Sequence, residues 1–323
     1  MMTNNCCDEC GKEGGVSLKV CKSCMQVKYC NAECQRQHWS THKKQCRLRA
    51  AELRDEALFN DPPDKEDCPI CFLPMPARIL SCISLSPATI LSVPIYDFVT
   101  ANVELANDDT DSAVYYSCCG KSMCGGCVCS FVESGNIGKC PFCKAKRIGV
   151  YSTDEDTVAD MMRRVEANDV GAIYQQAGYY YSGVEGFQQD RAKAMDLYVR
   201  AAELGCQKAH YCLGVFYMGE GDLKKAKFHF EAAAIAGHEM ARYNLGYIEY
   251  NSGNIERAIK HFTIAASAGH YKAMYQLTTF FKEGVIKRES IDSTLGAYNN
   301  SCAEMRSKAR DAYIFLRRSS RTA

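Results

Sequence analysis

Residues 7–46 read CDECGKEGGVSLKVCKSCMQVKYCNAECQRQHWSTHKKQC, and the spacing of cysteine and histidine here decides how the front of the chain folds. Four pairs stand in order: Cys7 and Cys10, Cys21 and Cys24, Cys30 and Cys34, His42 and Cys46. A Cys-x-x-Cys pair sets two sulfurs on one tight turn, where both can reach one tetrahedral ion at about 2.3 Å. The last two pairs stand at i, i+4, which places each on one face of a helix. Eight ligands fill two four-coordinate zinc sites and leave no vacancy, so the expected metal is structural and not catalytic. His38, four residues from both Cys34 and His42, is a rival ligand on spacing, and Cys6 beside Cys7 is another.

Working outward, the 323-residue chain holds 21 cysteines, and 18 of them precede residue 144. The length admits two or three domains. A formal net charge of +1 offers no global case for nucleic acid or an anionic membrane. An apolar content of 47% with 24% charged residues suits a soluble globular protein. The opening Met1–Cys7 lacks a basic region followed by an apolar run, so no secretory signal is expected. In a reducing, intracellular compartment (cytoplasm or nucleus), paired cysteines read as zinc thiolates in place of disulfides. The most apolar stretch, Ile79–Ile95, contains Ser81, Ser84, Ser86, Ser92, Pro87 and Pro94, which argues against a transmembrane helix.

From CDEC through CKSC to YCNAECQRQHWSTHKKQC, residues 7–46 resemble the MYND finger family, including the Tyr29-Cys30 step and the Gln37-His38-Trp39 cluster. The resemblance implies cross-braced ligation, with Cys7, Cys10, Cys30 and Cys34 on one zinc. Cys21, Cys24, His42 and Cys46 would hold the other, and His38 stays unligated. It also implies a peptide-binding module, often for proline-containing segments. Seven thiolates and two Zn²⁺ sum to about −3, so Lys43, Lys44, Arg47 and Arg49 read as offsetting cations and not as a nucleic-acid surface.

Residues 47–67 read as a linker, polar from Glu52 and ending in Asn60-Asp61-Pro62-Pro63-Asp64, where no helix can continue. A second cluster spans 68–143: Cys68-Pro69-Ile70-Cys71, then Cys118-Cys119-Gly120-Lys121-Ser122-Met123-Cys124-Gly125-Gly126-Cys127, then Cys140-Pro141-Phe142-Cys143. The outline resembles a RING finger, with two departures. Lys121 stands where that family places a histidine, and a protonated lysine cannot ligate zinc. The gap from Cys71 to Cys118 is also long; Ile79–Tyr96 reads as a hairpin-like strand pair and Asn102–Ser112 as a solvated acidic loop. The expected assignment is Cys68, Cys71, Cys124 and Cys127 on one zinc, and Cys119, Cys140 and Cys143 on the other. Cys118 is the candidate fourth ligand, although adjacent cysteines sit awkwardly on one ion. Cys129 is a spare, and Cys82 reads as a small apolar residue. The RING resemblance implies docking of a ubiquitin-conjugating enzyme through Ile70 and Pro141. Lys144, where active members often carry arginine, keeps the charge but loses the bidentate fork. A zinc-stapled fold that recruits no such enzyme is the competing reading.

The back half repeats. A helix at 152–168 opens with Thr153 and Asp156 at capping-box-like spacing and carries Val158, Met161, Met162 and Val165 on one face. Over 169–283, Ala201-Ala202-Glu203-Leu204-Gly205, Ala233-Ala234-Ile235-Ala236-Gly237 and Ala265-Ala266-Ser267-Ala268-Gly269 recur every 32 residues, as do Leu213-Gly214 and Leu245-Gly246. Each unit reads as two closely packed helices, with Gly205, Gly237 and Gly269 suited to left-handed C-caps. Such hairpins stack into a solenoid. The pattern resembles Sel1-like repeats, relatives of tetratricopeptide units, in three copies and a degenerate fourth where Thr278 replaces glycine. Tyr198, Tyr217, Phe228 and Tyr243 read as helix-packing core, and His238 and His270 as cations suited to a helix C-terminus. Residues 284–323 read as capping helices, with Cys302, Met305, Ala309, Tyr313 and Leu316 on one face, and a frayed basic tail.

The expected fold is therefore multidomain: two small zinc-stapled α+β modules followed by an all-α helical-repeat solenoid. No nucleophile–base constellation, phosphate-cradling loop or SET domain after the finger is read from the sequence. The expected function is a zinc-binding, protein- or peptide-binding adaptor holding two zinc ions per cysteine module, with a RING-type ubiquitin ligase as the alternative.

Overall fold

A computed structural model describes residues 7–12, 17–75, 113–136, 139–145, 155–183, 187–304 and 307. The expectations for Cys6, Cys82, 79–96, 102–112, 152–154, Met305, Ala309, Tyr313, Leu316 and the basic tail lie outside the described residues. The chain divides into two units, 1–60 and 61–323.

In the first unit, β1 (Lys19–Val20) pairs antiparallel with β2 (Lys28–Tyr29), and the long α1 (Ala32–Phe59) follows. Asn31 caps α1 by accepting the Cys34 N–H at 2.9 Å. The helix does not stop with the finger. Residues 47–59, read above as linker, continue it. Ala50, Ala51, Leu53, Ala57 and Leu58 are strong helix formers, and Arg49 pairs with Glu52 at 3.0 Å and Glu56 at 2.9 Å. Pro62 and Pro63 set the end, since neither can extend the ladder. The interior of this unit is Tyr29 among Cys7, Cys21, Cys24, Cys34 and Cys46.

The second unit begins with the other cysteine module. There β3 (Ala113–Tyr116) and β4 (Lys121–Cys124) form an antiparallel hairpin with Val114 opposite Met123 and Tyr116 opposite Lys121. The helix α2 (Gly125–Glu133) starts directly after β4. Its core is Tyr116, Met123 and Val128 among Cys68, Cys124, Cys127 and Cys140. So little apolar area cannot hold a fold alone, and the cysteines themselves must be tied.

The array follows as α3 (Glu155–Glu166), α4 (Val170–Ser182), α5 (Arg191–Glu203), α6 (Gln207–Gly219), α7 (Leu223–Ile235), α8 (Glu239–Asn251), α9 (Ile255–Ser267), α10 (Tyr271–Lys282) and α11 (Arg288–Glu304). From α4 onward the helices pair, and the pairs pack by size. A Cβ on Gly214 would lie 2.5 Å from Phe230, and one on Gly246 would lie 2.7 Å from Phe262. In the first pair, Gly178 faces Tyr198 more loosely, and a Cβ there would lie 3.8 Å from its Oη, an ordinary contact. In the fourth pair both partners change together: Thr278 takes the glycine position, Thr294 the aromatic one, and both are buried. The glycine is needed only where an aromatic ring fills the helix–helix gap. Ala201, Ala233, Ala265, Ala209, Ala241 and Ala273 are fully buried along the same seam.

Gly205, Gly237 and Gly269 end their helices at φ +89, +90 and +93, in the left-handed region. Three expectations are corrected. His238 and His270 are N-caps, accepting the Ala241 and Ala273 N–H through Nδ1 at 3.4 and 3.2 Å, so each serves as an acceptor at a helix start. They stack on Tyr211 and Tyr243 respectively. Phe228 is 62% exposed and is not core. Met162 is also exposed, while Met161 and Val165 of the same helix are buried.

The second cysteine module lies along one edge of the array, against loops that precede the first helix of a pair. Pro63 packs on Gly237, its Cγ 3.3 Å from where a Cβ would stand. Lys65 Nζ donates to the Ala268 carbonyl at 3.0 Å, a favourable place for a cation at a helix C-terminus. At the near end, the Tyr115 ring closes on Gly171. Among the described residues, no helix is long and apolar enough to cross a membrane.

Candidate metal centres

Among the described residues, four clusters gather four ligating atoms each, and within each cluster these atoms all lie within 4.8 Å of one another. In the first unit they are Cys7, Cys10, Cys30 and Cys34, and Cys21, Cys24, His42 and Cys46. In the second module they are Cys68, Cys71, Cys124 and Cys127, and Cys118, Cys119, Cys140 and Cys143. In both modules the first ligand pair meets the third and the second meets the fourth, so each chain segment is laced twice.

The spacings identify what they suit. Cys10–Cys30, Cys21–Cys46 and Cys119–Cys140 are 3.7 Å apart. Cys68–Cys127 is 3.9 Å and Cys71–Cys124 is 3.8 Å. Cys30–Cys34 and Cys118–Cys143 are 3.5 Å, and Cys24 Sγ lies 3.3 Å from His42 Nε2. A tetrahedron with Zn–S of about 2.3 Å has S–S edges of about 3.8 Å, whereas a disulfide is about 2.05 Å. The donor sets therefore fit zinc.

The electrostatics say the same. In each cluster the first cysteine of a Cys-x-x-Cys turn has an acidified thiol. The Cys10 N–H draws Cys7 down to about 6. Burial pushes Cys21, Cys68 and Cys140 up. Backbone N–H bonds, foremost from Cys24, Cys124 and Cys143 respectively, outweigh it and leave them at about 6, 7 and 7. The opposing thiols go the other way. The hydrogen bond to Cys30, with burial behind it, lifts Cys34 to about 12; burial and Cys21 lift Cys46 to about 12. Cys118 and Cys127 are raised above the usual thiol range, chiefly by burial. Three or four thiols this close do not ionise together without a shared cation, and a dication supplies it.

Around the histidine ligand candidate, His38 is otherwise engaged: its Nδ1 lies 3.0 Å from Tyr29 Oη, and its ring stacks on His42 at 15°. Residues 7–46 match the MYND finger family. The chain is 43% identical over 47 residues to a SET and MYND domain-containing protein of Dictyostelium discoideum, a match over 13% of this chain and 9% of that protein. The chain thus spans under a tenth of the length of that curated relative. The helical part is similar to a Sel1 repeat protein from Oxalobacter formigenes, at 21% identity and a TM-score of 0.41, over 56% of this chain and 72% of that one. It is also similar to a protective antigen of uropathogenic Escherichia coli strains displaying an SLR fold, at 21% identity and a TM-score of 0.38, over 58% of this chain and 42% of that one.

Beyond the MYND finger, the remaining sequence-singled residues take these places. Cys129 sits on α2 outside the four clusters, and Lys121 Nζ lies 5.5 Å over the Phe142 ring. Ile70 is 47% exposed beside the first Cys-x-x-Cys turn, Pro141 is half-buried, and Lys144 folds back to donate to the Pro141 carbonyl at 3.1 Å. Sequence reasoning passed over Tyr115, Arg164 and Asp169. They join the Cys118-Cys119 turn to the array, and no local spacing marks them.

Proposed function

We propose that this protein is a zinc-dependent interaction adaptor, with two zinc ions in the MYND finger and two in the second module. The observation that carries it is the set of four closed donor clusters. Each supplies four ligand atoms and none keeps a position for a reacting group, so the metal's task is to hold shape. When bound, zinc supplies the cross-links that these small cores lack, and the ligands named above would hold it. Peptide-sized surface is on offer. On α1, Trp39 and Leu48 are exposed, and Ser40, Lys43, Lys44, Arg47 and Leu48 line one depression. The array supplies the second surface. The protein partners would be short proline-containing segments for the finger and a separate chain for the array.

The test is metal analysis of the purified chain together with binding to a library of proline-containing peptides. About four zinc per chain, and peptide capture lost in Trp39→Ala, support the proposal. A count near zero, or turnover of a substrate without any binding partner, overturns it.

One observation favours a second reading, a RING-type ubiquitin ligase. Ile70 and Phe72 present an apolar pair at the first turn of the second module, 47% and 76% exposed. Such a pair suits docking of a ubiquitin-conjugating enzyme. Autoubiquitination across a panel of those enzymes, lost in Ile70→Ala, supports it; no chain formation across the panel removes it.

A further inference from the structure

Cys118 and Cys119 are neighbours in sequence, and neighbouring side chains do not ordinarily face one ion. Here the two sulfurs reach Cys143 and Cys140 at 3.5 and 3.7 Å. The turn that allows it is Ser117–Gly120, at the tip of the β3–β4 hairpin. The Cys119 and Gly120 N–H groups both donate to the Tyr116 carbonyl, at 3.1 and 2.8 Å, and Gly120 takes φ +71.

That turn is gripped from outside its own module. Arg164, on α3, donates through Nε to the Ser117 carbonyl, immediately before the ligand pair. Its Nη1 stands 2.6 Å from where a Cβ on Gly120 would be, immediately after the pair. The same Nη1 pairs with Asp169 Oδ2 at 3.1 Å, and Asp169 Oδ1 caps α4 by accepting the Ala172 N–H at 3.1 Å. Tyr115, two residues before Ser117, closes on Gly171 in the first turn of α4; a Cβ there would lie 2.7 Å from the ring. One guanidinium therefore touches both flanks of the Cys118-Cys119 step and the first cap of the array. Its charge suits the place. Burial opposes it, but the hydrogen bond to Asp169 and the charges around it outweigh burial and shift its pKa above the usual arginine value. A zinc ion bound by four thiolates carries a net charge of about −2, which such a cation offsets.

We infer that Arg164 is the outer cation of the Cys118/Cys119/Cys140/Cys143 site: it shapes the turn that presents both neighbouring sulfurs, and so makes metal retention there and seating of the array mutually dependent. The inference rests on the reading of this cluster as a zinc site. Lysine at 164 would keep the charge but lacks the fork that spans Ser117 and Asp169, so Arg164 acts as a positioning residue through geometry as well as charge.

The experiment is zinc release from the full-length, zinc-loaded chain into a colorimetric chelator, with metal analysis before and after. In Arg164→Gln, one zinc of four is expected to be held roughly 10–100-fold more weakly, the range for loss of an outer-shell partner, and to leave faster, while the other three keep their wild-type rates. Arg164→Lys should fall between. Gly120→Ala, which keeps Arg164 in the sequence but crowds its guanidinium and strains the turn at φ +71, should also give the fast phase. Loading with Co²⁺ reports the same event as loss of one site's share of the thiolate charge-transfer absorption. In the reverse direction, Cys118→Ser should lower the array's urea midpoint in the wild type and add little in the Arg164→Gln background. Wild-type release kinetics in both Arg164→Gln and Gly120→Ala, or strictly additive effects in the double variant, overturn the coupling. A wild-type count of three that Cys118→Ser leaves unchanged overturns instead the metal reading beneath it.

Discussion

The cysteine modules and the repeat array differ in what fills their interiors. In the modules, the buried positions are mostly prospective ligands, such as Cys21, Cys24, Cys34 and Cys46 around Tyr29. In the array they are alanines and aromatic rings fitted against glycine, as Phe230 is against Gly214. A ligand-filled core has little transfer energy of its own and depends on a few strong bonds, each tied to protonation state and metal supply. A volume-fitted core spreads its stabilisation over many weak contacts and is sensitive to a single added methyl. The two halves should therefore fail under different insults.

The widest separation is expected from chelation. Structural zinc contributes about 10–16 kcal/mol in zinc-finger peptides. A strong chelator with reductant at neutral pH should open both modules to protease while a fragment of about 155–304 survives, with a lower urea midpoint than in the zinc-loaded chain. Joint loss of the array would break the contrast. Next in size is the loss of one ligand: His42→Ala should cost one zinc and expose the finger. His38→Ala should keep the zinc and cost the hydrogen bond to Tyr29, about 0.5–1.5 kcal/mol, together with the stacking on His42. Equal zinc counts in the two variants would reverse the assignment of the histidines. In the array, Gly246→Ala drives a methyl into Phe262 and should cost about 1–3 kcal/mol in urea melts. Gly219→Ala meets nothing within 4 Å and should stay within about 0.5 kcal/mol. A further effect is acid-dependent. Burial, and then the charge of His210, hold His229 at about 4 against an ordinary 6.5. A depressed histidine favours the fold above its unfolded value, so its contribution is complete above about pH 6.5 and lost as pH falls toward 4. His229→Gln should flatten the array's melting temperature across that window. An unchanged slope would exclude this pair as the source.

What could be read without coordinates follows from how local each constraint is. Ligation limits both residue type and spacing within a few positions, so the Cys-x-x-Cys turns and the i, i+4 pairs stand out in the chain. The 32-residue period is legible because the glycine caps and alanine seams recur in step. The pairing of Gly214 with Phe230 is not, since one glycine and one phenylalanine sixteen residues on look ordinary until two helices meet. The extension of α1 through 47–59 was missed because its polar composition reads as linker, and only its end is marked, by Pro62. His238 and His270 follow glycine and so resemble C-terminal cations, yet each opens the next helix. Arg164 sits in the last turn of α3, where an arginine is expected for the helix dipole alone. Its grip on Ser117 spans 47 residues of sequence, and no local pattern reports a contact of that reach.

The contact from Lys65 to the Ala268 carbonyl joins residues 203 apart in sequence, and this orders events in time. At about 5–20 residues per second, synthesis leaves Lys65 waiting roughly 10–40 s for its acceptor to be made. Both sets of zinc ligands are complete well before then, and helix pairs can form locally as they emerge. Closing the Asp61–Asp67 segment over Gly237 and Ala268 is the long-range step, and its loop entropy is repaid only after three helix pairs are stacked. A chain truncated before residue 268 would keep its metal sites and the Pro63–Gly237 contact but would lack the carbonyl that holds Lys65.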